Sequence, residues 1–246
     1  MKHKFKINLN KHLAKSNFRS ILQWIIVPMV VCLVFLSGAI ISHVARKQIE
    51  ANTYSTMNDT ITQTKVYLDN RMYEVFEQFV ALENDSDLRQ LMNVLRKEGK
   101  VGYNNIYYVN LDKTVRRILS SHGSIVDSIY LDFNDGAFQM QRDSWLPSDI
   151  NFNYDIWKEK YPEEKHYWMN VLNDNPEDIN ASEDVGVILF RLIQSEDNKL
   201  KGIIVFNLKK EFFKNILQSP KISDNGFLSI VTDEDYMVFK ELDKTY

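Results

Sequence analysis

The sequence predicts an α+β protein in which an N-terminal transmembrane helix continues into a long extracytoplasmic helix packed on an antiparallel sheet. Three observations predict this class. An uncharged apolar run covers residues 20–45, a segment without proline or glycine extends from Arg46 to about Lys97, and strand signals joined by polar turns fill much of the second half. At 44% hydrophobic, the composition is that of a globular chain rather than a disordered one.

The apolar run, SILQWIIVPMVVCLVFLSGAIISHVA, contains no Asp, Glu, Lys or Arg. Its 26 residues would form a helix of roughly 39 Å, which exceeds the roughly 30 Å hydrocarbon core of a bilayer. Trp24 lies near the basic end, where an interfacial aromatic residue is expected. We expect an uncleaved transmembrane helix at 21–45. A cleavable signal peptide is the alternative, but its apolar region is usually shorter.

Charge is distributed unevenly along the chain. Residues 1–20 carry six lysines and arginines and no acid, so the net charge of −3 leaves −9 for the remainder. This basic leader predicts a cytoplasmic N-terminus beside anionic lipid and a chain that crosses the cell membrane once within the given sequence, with residues 47–246 extracellular. An acidic body argues against nucleic-acid binding. Because the only cysteine, Cys32, lies within the span, no disulfide is expected outside it.

The segment 46–97 predicts one long helix or stalk, broken once. Its apolar positions follow a heptad-like seam of Ile61, Leu68, Met72, Val75, Phe79 and Leu82. The seam can pack on the protein's own sheet or pair with the same helix of a second subunit. We expect self-packing from Met72 onward and a homodimer stalk over Gln48–Leu68.

Polar residues at 83–87 interrupt this pattern, so Ser86 or Asp87 is expected to cap a short helix, Leu88–Arg96, that ends at Gly99. The next predicted elements are two hairpins and a helix. Their ranges are the strands Ile125–Phe133 and Ala137–Met140, the strands Val185–Gln194 and Lys201–Leu208, and the helix Lys209–Leu217.

Between the hairpins, residues 141–184 form an aromatic and acidic insertion. A long segment without a clear period is usually functional or locally helical. Helical turns are expected at Tyr154–Lys160 and Lys165–Leu172. A third hairpin is expected at 226–240, and it either closes the preceding domain or opens another. Exposure of Phe227, Ile230 or Val238 would favour the second reading.

This order of elements resembles the extracytoplasmic double Cache (PAS-like) sensor regions of bacterial receptors, most closely those of YesM-type sensor histidine kinases. The resemblance is carried by the span with its basic leader and by three stretches, ITQTKVYLDNRMYEVFEQFVAL, SIYLDFNDGAF and FRLIQSEDNKLKGIIVFNLKKEFFKNIL. It implies a PAS-like (Cache) sheet at 98–218, a membrane-distal sensor domain. It also implies that 219–246 begin an incomplete membrane-proximal subdomain of a truncated receptor. Chemoreceptors and membrane-tethered AraC-like regulators use similar sensor regions.

No catalytic motif is found, so no enzyme activity is expected of this chain. Glycine-rich phosphate loops and the kinase boxes are absent from the sequence. The five histidines lie on separate segments without metal-ligand spacing, so neither a metal nor a cofactor is expected.

Binding of a small-molecule or peptide ligand outside the cell is therefore the predicted chemistry, since a binding cavity needs apolar walls and a few converging polar groups. Arg191 lies in an apolar strand, where a charge needs a partner. That partner is either an acid such as Asp132 or a ligand carboxylate or phosphate. The aromatic candidates can instead belong to the core. The candidate ligand-binding residues are Tyr130, Arg142, Trp145, Tyr154, Tyr167, Trp168 and Arg191.

The predicted function is a membrane-anchored ligand-sensing module of a signal-transduction receptor, of the two-component histidine kinase class, without its kinase half. A membrane-anchored cell-surface binding protein, complete as written, is the alternative. An anchored hydrolase using Asp149 or Glu163 is the third possibility, but two acids on an unplaced loop do not define a site.

Overall fold

The computed structural model contains two compact units, residues 1–61 and 62–246. The structure describes residues 18–102, 104–134, 136–142, 154–162, 165–170, 185–218, 229–231 and 237–240.

The first helix, α1, extends from Phe18 to Glu83 and includes Pro28. In the first unit its large apolar side chains are exposed from Leu22 onward, and Trp24 is 80% exposed. Among the described residues this is the one helix that is long and apolar enough to cross a membrane, judged by length and composition alone. The predicted helix is therefore present, while the orientation of the chain in a membrane stays a prediction.

Two shorter helices follow, α2 at Ser86–Glu98 and α3 at Ile106–His122. Asp85 caps α2, because its side chain accepts hydrogen bonds from the backbone N–H groups of Asp87 and Leu88. The expected caps, Ser86 or Asp87, were wrong by one or two positions. Gly99 ends α2 as predicted, with a left-handed φ of 74°.

Helix α3 lies where the sequence analysis assigned no element. Its buried residues, Leu111, Val115, Ile118 and Leu119, follow a helical spacing. The Asn105 side chain caps the helix by accepting from the backbone N–H of Tyr107.

The main sheet is built from β1 Val126–Phe133, β2 Phe138–Arg142, β3 Tyr167–Asn170, β4 Val185–Gln194 and β5 Lys201–Lys209. Helix α4, Tyr154–Lys160, lies between β2 and β3 in the chain, and helix α5, Lys210–Gln218, follows β5. The five strands are antiparallel in the order β2-β1-β5-β4-β3, which confirms the predicted α+β class. Residues of β1 pair with both β2 and β5, and those of β4 pair with both β5 and β3.

Alternate residues of these strands belong to two separate apolar clusters, as expected when successive side chains point to opposite faces. We call the first surface the helix-packed face, because side chains of α1, α2, α3 and α5 cover it. The second surface, the aromatic face, carries alternating residues such as Tyr130, Phe190 and Val205 and is covered in part by α4.

The distal half of the predicted seam packs as expected, because Val75, Phe79 and Leu82 are fully buried on the helix-packed face. Ile61 is 45% exposed. The homodimer stalk at Gln48–Leu68 stays a prediction.

Within the insertion, α4 has the predicted bounds, whereas the helical turn expected at Lys165–Leu172 was wrong. Residues Tyr167–Asn170 instead form β3, which pairs antiparallel with β4 along the edge of the sheet. Pairing with β4 satisfies backbone groups that a short isolated helix would leave open.

The third hairpin is present as β6 Ser229–Val231 and β7 Met237–Lys240, which pair with each other in a separate two-stranded sheet. Ile230 is partly buried against the main core, so it is not the exposed member of the three residues named for this hairpin. Phe227 and the side chain of Val238 lie outside the described part of the chain.

Candidate ligand-binding face

Aromatic side chains form the wall of the aromatic face. Tyr167 of β3 stacks on Phe190 of β4, with ring centroids 5.3 Å apart and an interplanar angle of 16°. Tyr161 and Trp157 each contact Phe190 at 5.0 Å between centroids. Tyr154 is 2% exposed and donates to Gln194 Oε1 at 3.4 Å. Three predicted candidates, Tyr130, Tyr154 and Tyr167, therefore share this face.

A buried carboxylate lies on the same face near the β1–β2 turn. Asp132 accepts from the Tyr130 hydroxyl at 2.6 Å, from Gln139 Nε2 at 2.9 Å and from the backbone N–H of Gly136 at 2.9 Å. Burial, together with the hydrogen bond to Asp132, raises the pKa of the Tyr130 hydroxyl above its ordinary value. Because these three donors satisfy it, Asp132 serves to hold the hairpin turn.

A second buried polar pair on this face joins β1 to β5. Ser128 is fully buried and Asn207 is 4% exposed, and Asn207 Nδ2 donates to Ser128 Oγ at 2.8 Å. Asn207 Oδ1 is buried and has no hydrogen-bond partner among the described residues. Either orientation of the Asn207 amide leaves one of its two polar atoms unpaired, and an unpaired buried polar atom lowers the stability of the folded protein by about 1–3 kcal/mol. Such a group is where a bound molecule would supply the missing hydrogen bond.

Arg142 lies on the helix-packed face, since it pairs in register with Ile129. Its guanidinium forms an ion pair with Asp112 of α3, and it donates to the Tyr108 hydroxyl at 3.3 Å. Burial acts to raise the pKa of Asp112, but hydrogen bonds from Arg116 and Arg142 outweigh it and lower that pKa below 3.8. Arg142 therefore joins β2 to α3 and lies away from the aromatic face.

This lowered pKa predicts an acid-dependent loss of stability. The unfolded carboxyl binds its proton at higher pH than the folded one, so the contribution of Asp112 is complete above about pH 4 and is lost as pH falls through the folded pKa. Thermal unfolding of the unmodified full chain and of the Asp112→Asn variant, both in detergent, measures this contribution. The stability difference should be constant above about pH 4 and should shrink as the pH falls below it. The exposed Asp59→Asn is the control, and a pH-independent difference for Asp112→Asn would contradict the assignment.

Arg191 also lies on the helix-packed face, opposite Ile204. An acid is its partner, as expected, although it is not Asp132, the example given. Arg191 pairs instead with Glu83, the last residue of α1, whose other oxygen lies 3.0 Å from His166 Nε2. Asp132 projects from the other side of the sheet, so no geometry in this register joins it to Arg191.

The remaining candidates do not join the aromatic face. Trp168 pairs in register with Leu189 on the helix-packed side and is 43% exposed, while Trp145 lies outside the described residues, as do Asp149 and Glu163.

Sequence reasoning missed Ser128 and Asn207. The one available signal was a polar residue at position 207 within the apolar strand KGIIVFNL. Within the described ranges, no group of His, Cys, Asp and Glu side chains has the geometry of a metal site.

Comparison with known proteins gives one structural likeness. No protein-family model matches the sequence, and no curated protein matches it. The fold is similar to the ligand-binding domain of the Pseudomonas aeruginosa PAO1 amino acid chemoreceptor PctC, solved in complex with GABA. The identity is 13%, the match covers 70% of this chain and 75% of that one, and the TM-score is 0.38. This overall likeness is low.

Proposed function

We propose that this protein is the extracytoplasmic ligand-sensing module of a transmembrane signalling receptor and that it binds a small molecule or peptide on the aromatic face. Its chemistry is binding rather than catalysis. The observation that carries the proposal is Asn207, a buried amide with an unpaired polar atom on the face that also holds the aromatic wall.

A purely structural core does not need this arrangement. Buried polar groups are normally satisfied within the protein, as Asp132 is on the same face. Ligand sites combine aromatic and apolar walls with a few polar groups that orient the bound molecule. Asn207 and Ser128 are such polar groups, and Phe190 and Tyr167 belong to the apolar wall.

The receptor class in this proposal is inferred from a resemblance of the sequence. The basic leader, the apolar helix and the stretches quoted above resemble YesM-type sensor histidine kinases, which favours a two-component receptor over other output types. In this proposal the segment 21–45 spans the cell membrane with the N-terminus in the cytoplasm, and the proximal part of α1 pairs with the same helix of a second copy.

The mechanism is a population shift. A ligand that binds one arrangement of the sheet more tightly than another favours that arrangement, and the helix that ends on the sheet moves relative to its dimer mate. Changing a 1:99 balance to 99:1 needs about 5.5 kcal/mol of differential binding. A few charge-assisted hydrogen bonds and one buried aromatic contact are of that order.

The test is a thermal-shift screen of the full chain in detergent micelles. The probes are the free amino acids, simple amines, short carboxylates, sugars and dipeptides, with isothermal titration calorimetry on any probe that raises Tm. We expect Asn207→Leu and Tyr167→Ala each to weaken binding of a probe that occupies the aromatic face by about tenfold or more.

A neighbouring residue supplies the matched control. Trp168 follows Tyr167 in β3 but lies on the opposite side of the sheet, so Trp168→Ala should leave binding unchanged. Equal losses in Tyr167→Ala and Trp168→Ala, or binding that survives both aromatic-face substitutions, would count against a site on this face.

A further inference from the structure

A cavity lies on the helix-packed side of the sheet, where Arg191 projects. It has a volume of about 230 Å³ and opens between the end of α1, the first turns of α2 and the end of β4. Its lining includes Glu83, Asn84, Arg89, Met92, Arg191 and Ile193. Met92 and Ile193 pack against the hydrophobic core beside this cavity, whereas the polar pair and the stacked rings of the proposed sensing site, Ser128, Asn207, Tyr167 and Phe190, do not line it.

One guanidinium in the cavity wall has an unused donor. Arg191 Nη1 donates to Glu83, but Arg191 Nε is buried and has no hydrogen-bond partner among the described residues. A buried donor on a charged group that lacks an acceptor is unfavourable. Glu83 cannot fully serve it, because the second Glu83 oxygen faces His166 Nε2 at 3.0 Å.

A second guanidinium lines the same cavity. Arg89 is exposed, and its Nη2 donates to Asn84 Oδ1, which holds the side chain beside the opening. Two arginines and one glutamate leave one excess positive charge in the lining. Guanidinium groups bind carboxylates through paired, charge-assisted hydrogen bonds.

The rest of the lining selects the size and character of the occupant. The cavity is smaller than the roughly 300–1,000 Å³ of pockets for drug-sized ligands. Met92 and Ile193 add apolar surface beside the charges. These features fit a monoanion with a short hydrocarbon tail.

We propose that this cavity binds a small carboxylate, whose oxygens accept from Arg191 Nε and from the Arg89 guanidinium. The bound carboxylate competes with Glu83 for Arg191. Because Glu83 is the last residue of α1 and Arg191 lies in β4, occupancy alters the ion pair that joins the end of the helix to the sheet.

The test uses the full chain in detergent micelles with acetate, propionate and butyrate as probes at constant ionic strength. Calorimetry and the rise of Tm report binding. We expect Arg89→Gln to raise Kd about tenfold, because the substitution removes a charge-assisted hydrogen bond to the carboxylate. Arg191→Gln should abolish binding, and Glu83→Gln should lower Kd because the internal competitor loses its charge.

Arg96→Gln is the matched control, because Arg96 lies on the same helix and pairs with Asp197 outside the cavity. Its Kd should equal that of the unmodified chain. Unchanged carboxylate binding in Arg89→Gln, an equal loss in Arg96→Gln, or stronger binding of inorganic phosphate than of any carboxylate would overturn the proposal. Arg89 is exposed, so its substitution does not endanger folding. Tyr167→Ala should leave this binding intact, which separates it from the sensing face.

Discussion

Replacing Gly202 with alanine is expected to destabilise the protein by about 3 kcal/mol or more. Gly202 is the second residue of β5 and pairs with both Phe133 and Ile193. An added Cβ would lie 2.2 Å from Phe133 Cδ1 and 2.5 Å from the backbone oxygen of Asp132. The strand cannot move away without breaking the pairing at the centre of the sheet. Denaturant unfolding of the full chain, or its yield of folded protein, measures the effect.

Gly102→Ala is the control for this substitution. A Cβ at Gly102 would meet no atom within 4 Å, so its effect on the free energy of unfolding should be within about 0.5 kcal/mol. If the Gly202→Ala protein were as stable as the Gly102→Ala protein, that result would contradict the close approach of β5 to β1.

Replacing Phe79 with alanine is expected to cost about 3–5 kcal/mol, the usual effect of truncating a fully buried phenylalanine. Phe79 joins α1 to the sheet, because its ring lies 5.0 Å from that of Phe206 and 5.4 Å from that of His166. The substitution also removes a neighbour of the His166 ring, which contacts Glu83. The free energy of unfolding from urea titration measures the loss.

Tyr73→Ala gives the matched comparison on the same helix. Tyr73 is 61% exposed, so its truncation should change the free energy of unfolding by about 0.5 kcal/mol or less. Similar losses for both substitutions would show that the distal part of α1 does not pack on the sheet as described.

Elements governed by local chemistry were predicted well. The hairpins of β1–β2 and β4–β5 follow from apolar runs joined by polar turns, and positive φ values at Asn134, Gly136 and Asn198 meet the turn requirement. The bounds of α4 and the burial of Val75 and Phe79 also follow from patterns within a few residues. Local backbone preferences and side-chain period decide these features.

Elements that depend on a distant partner were not predicted. Tyr167–Asn170 is a strand because β4 offers an unpaired edge, and no local signal in that segment favours a strand over a helical turn. The helical spacing of α3 was obscured by Ile106, Tyr107, Tyr108 and Val109 in its first turn, since β-branched and aromatic residues favour strands.

For the candidate site residues as well, local features were predicted and long-range placement was not. Residue type identified Tyr130, Tyr154 and Tyr167 as site candidates, and all three lie on one face. Arg142 and Arg191 have equally distinctive residue types but face the helices, where Asp112 and Glu83 neutralise them. The strand register decides which face a side chain joins, and a shift of one residue would exchange the two groups.

By itself, the sequence determined the long apolar helix, the antiparallel hairpins and the absence of recognisable catalytic motifs, because each depends on residues close together in the chain. Only the tertiary structure decided that Asn207 lies unpaired on the aromatic face and that Glu83 joins Arg191 and His166 across 108 and 83 positions of sequence. Such contacts depend on strand order and register, which bring together groups that no local pattern connects.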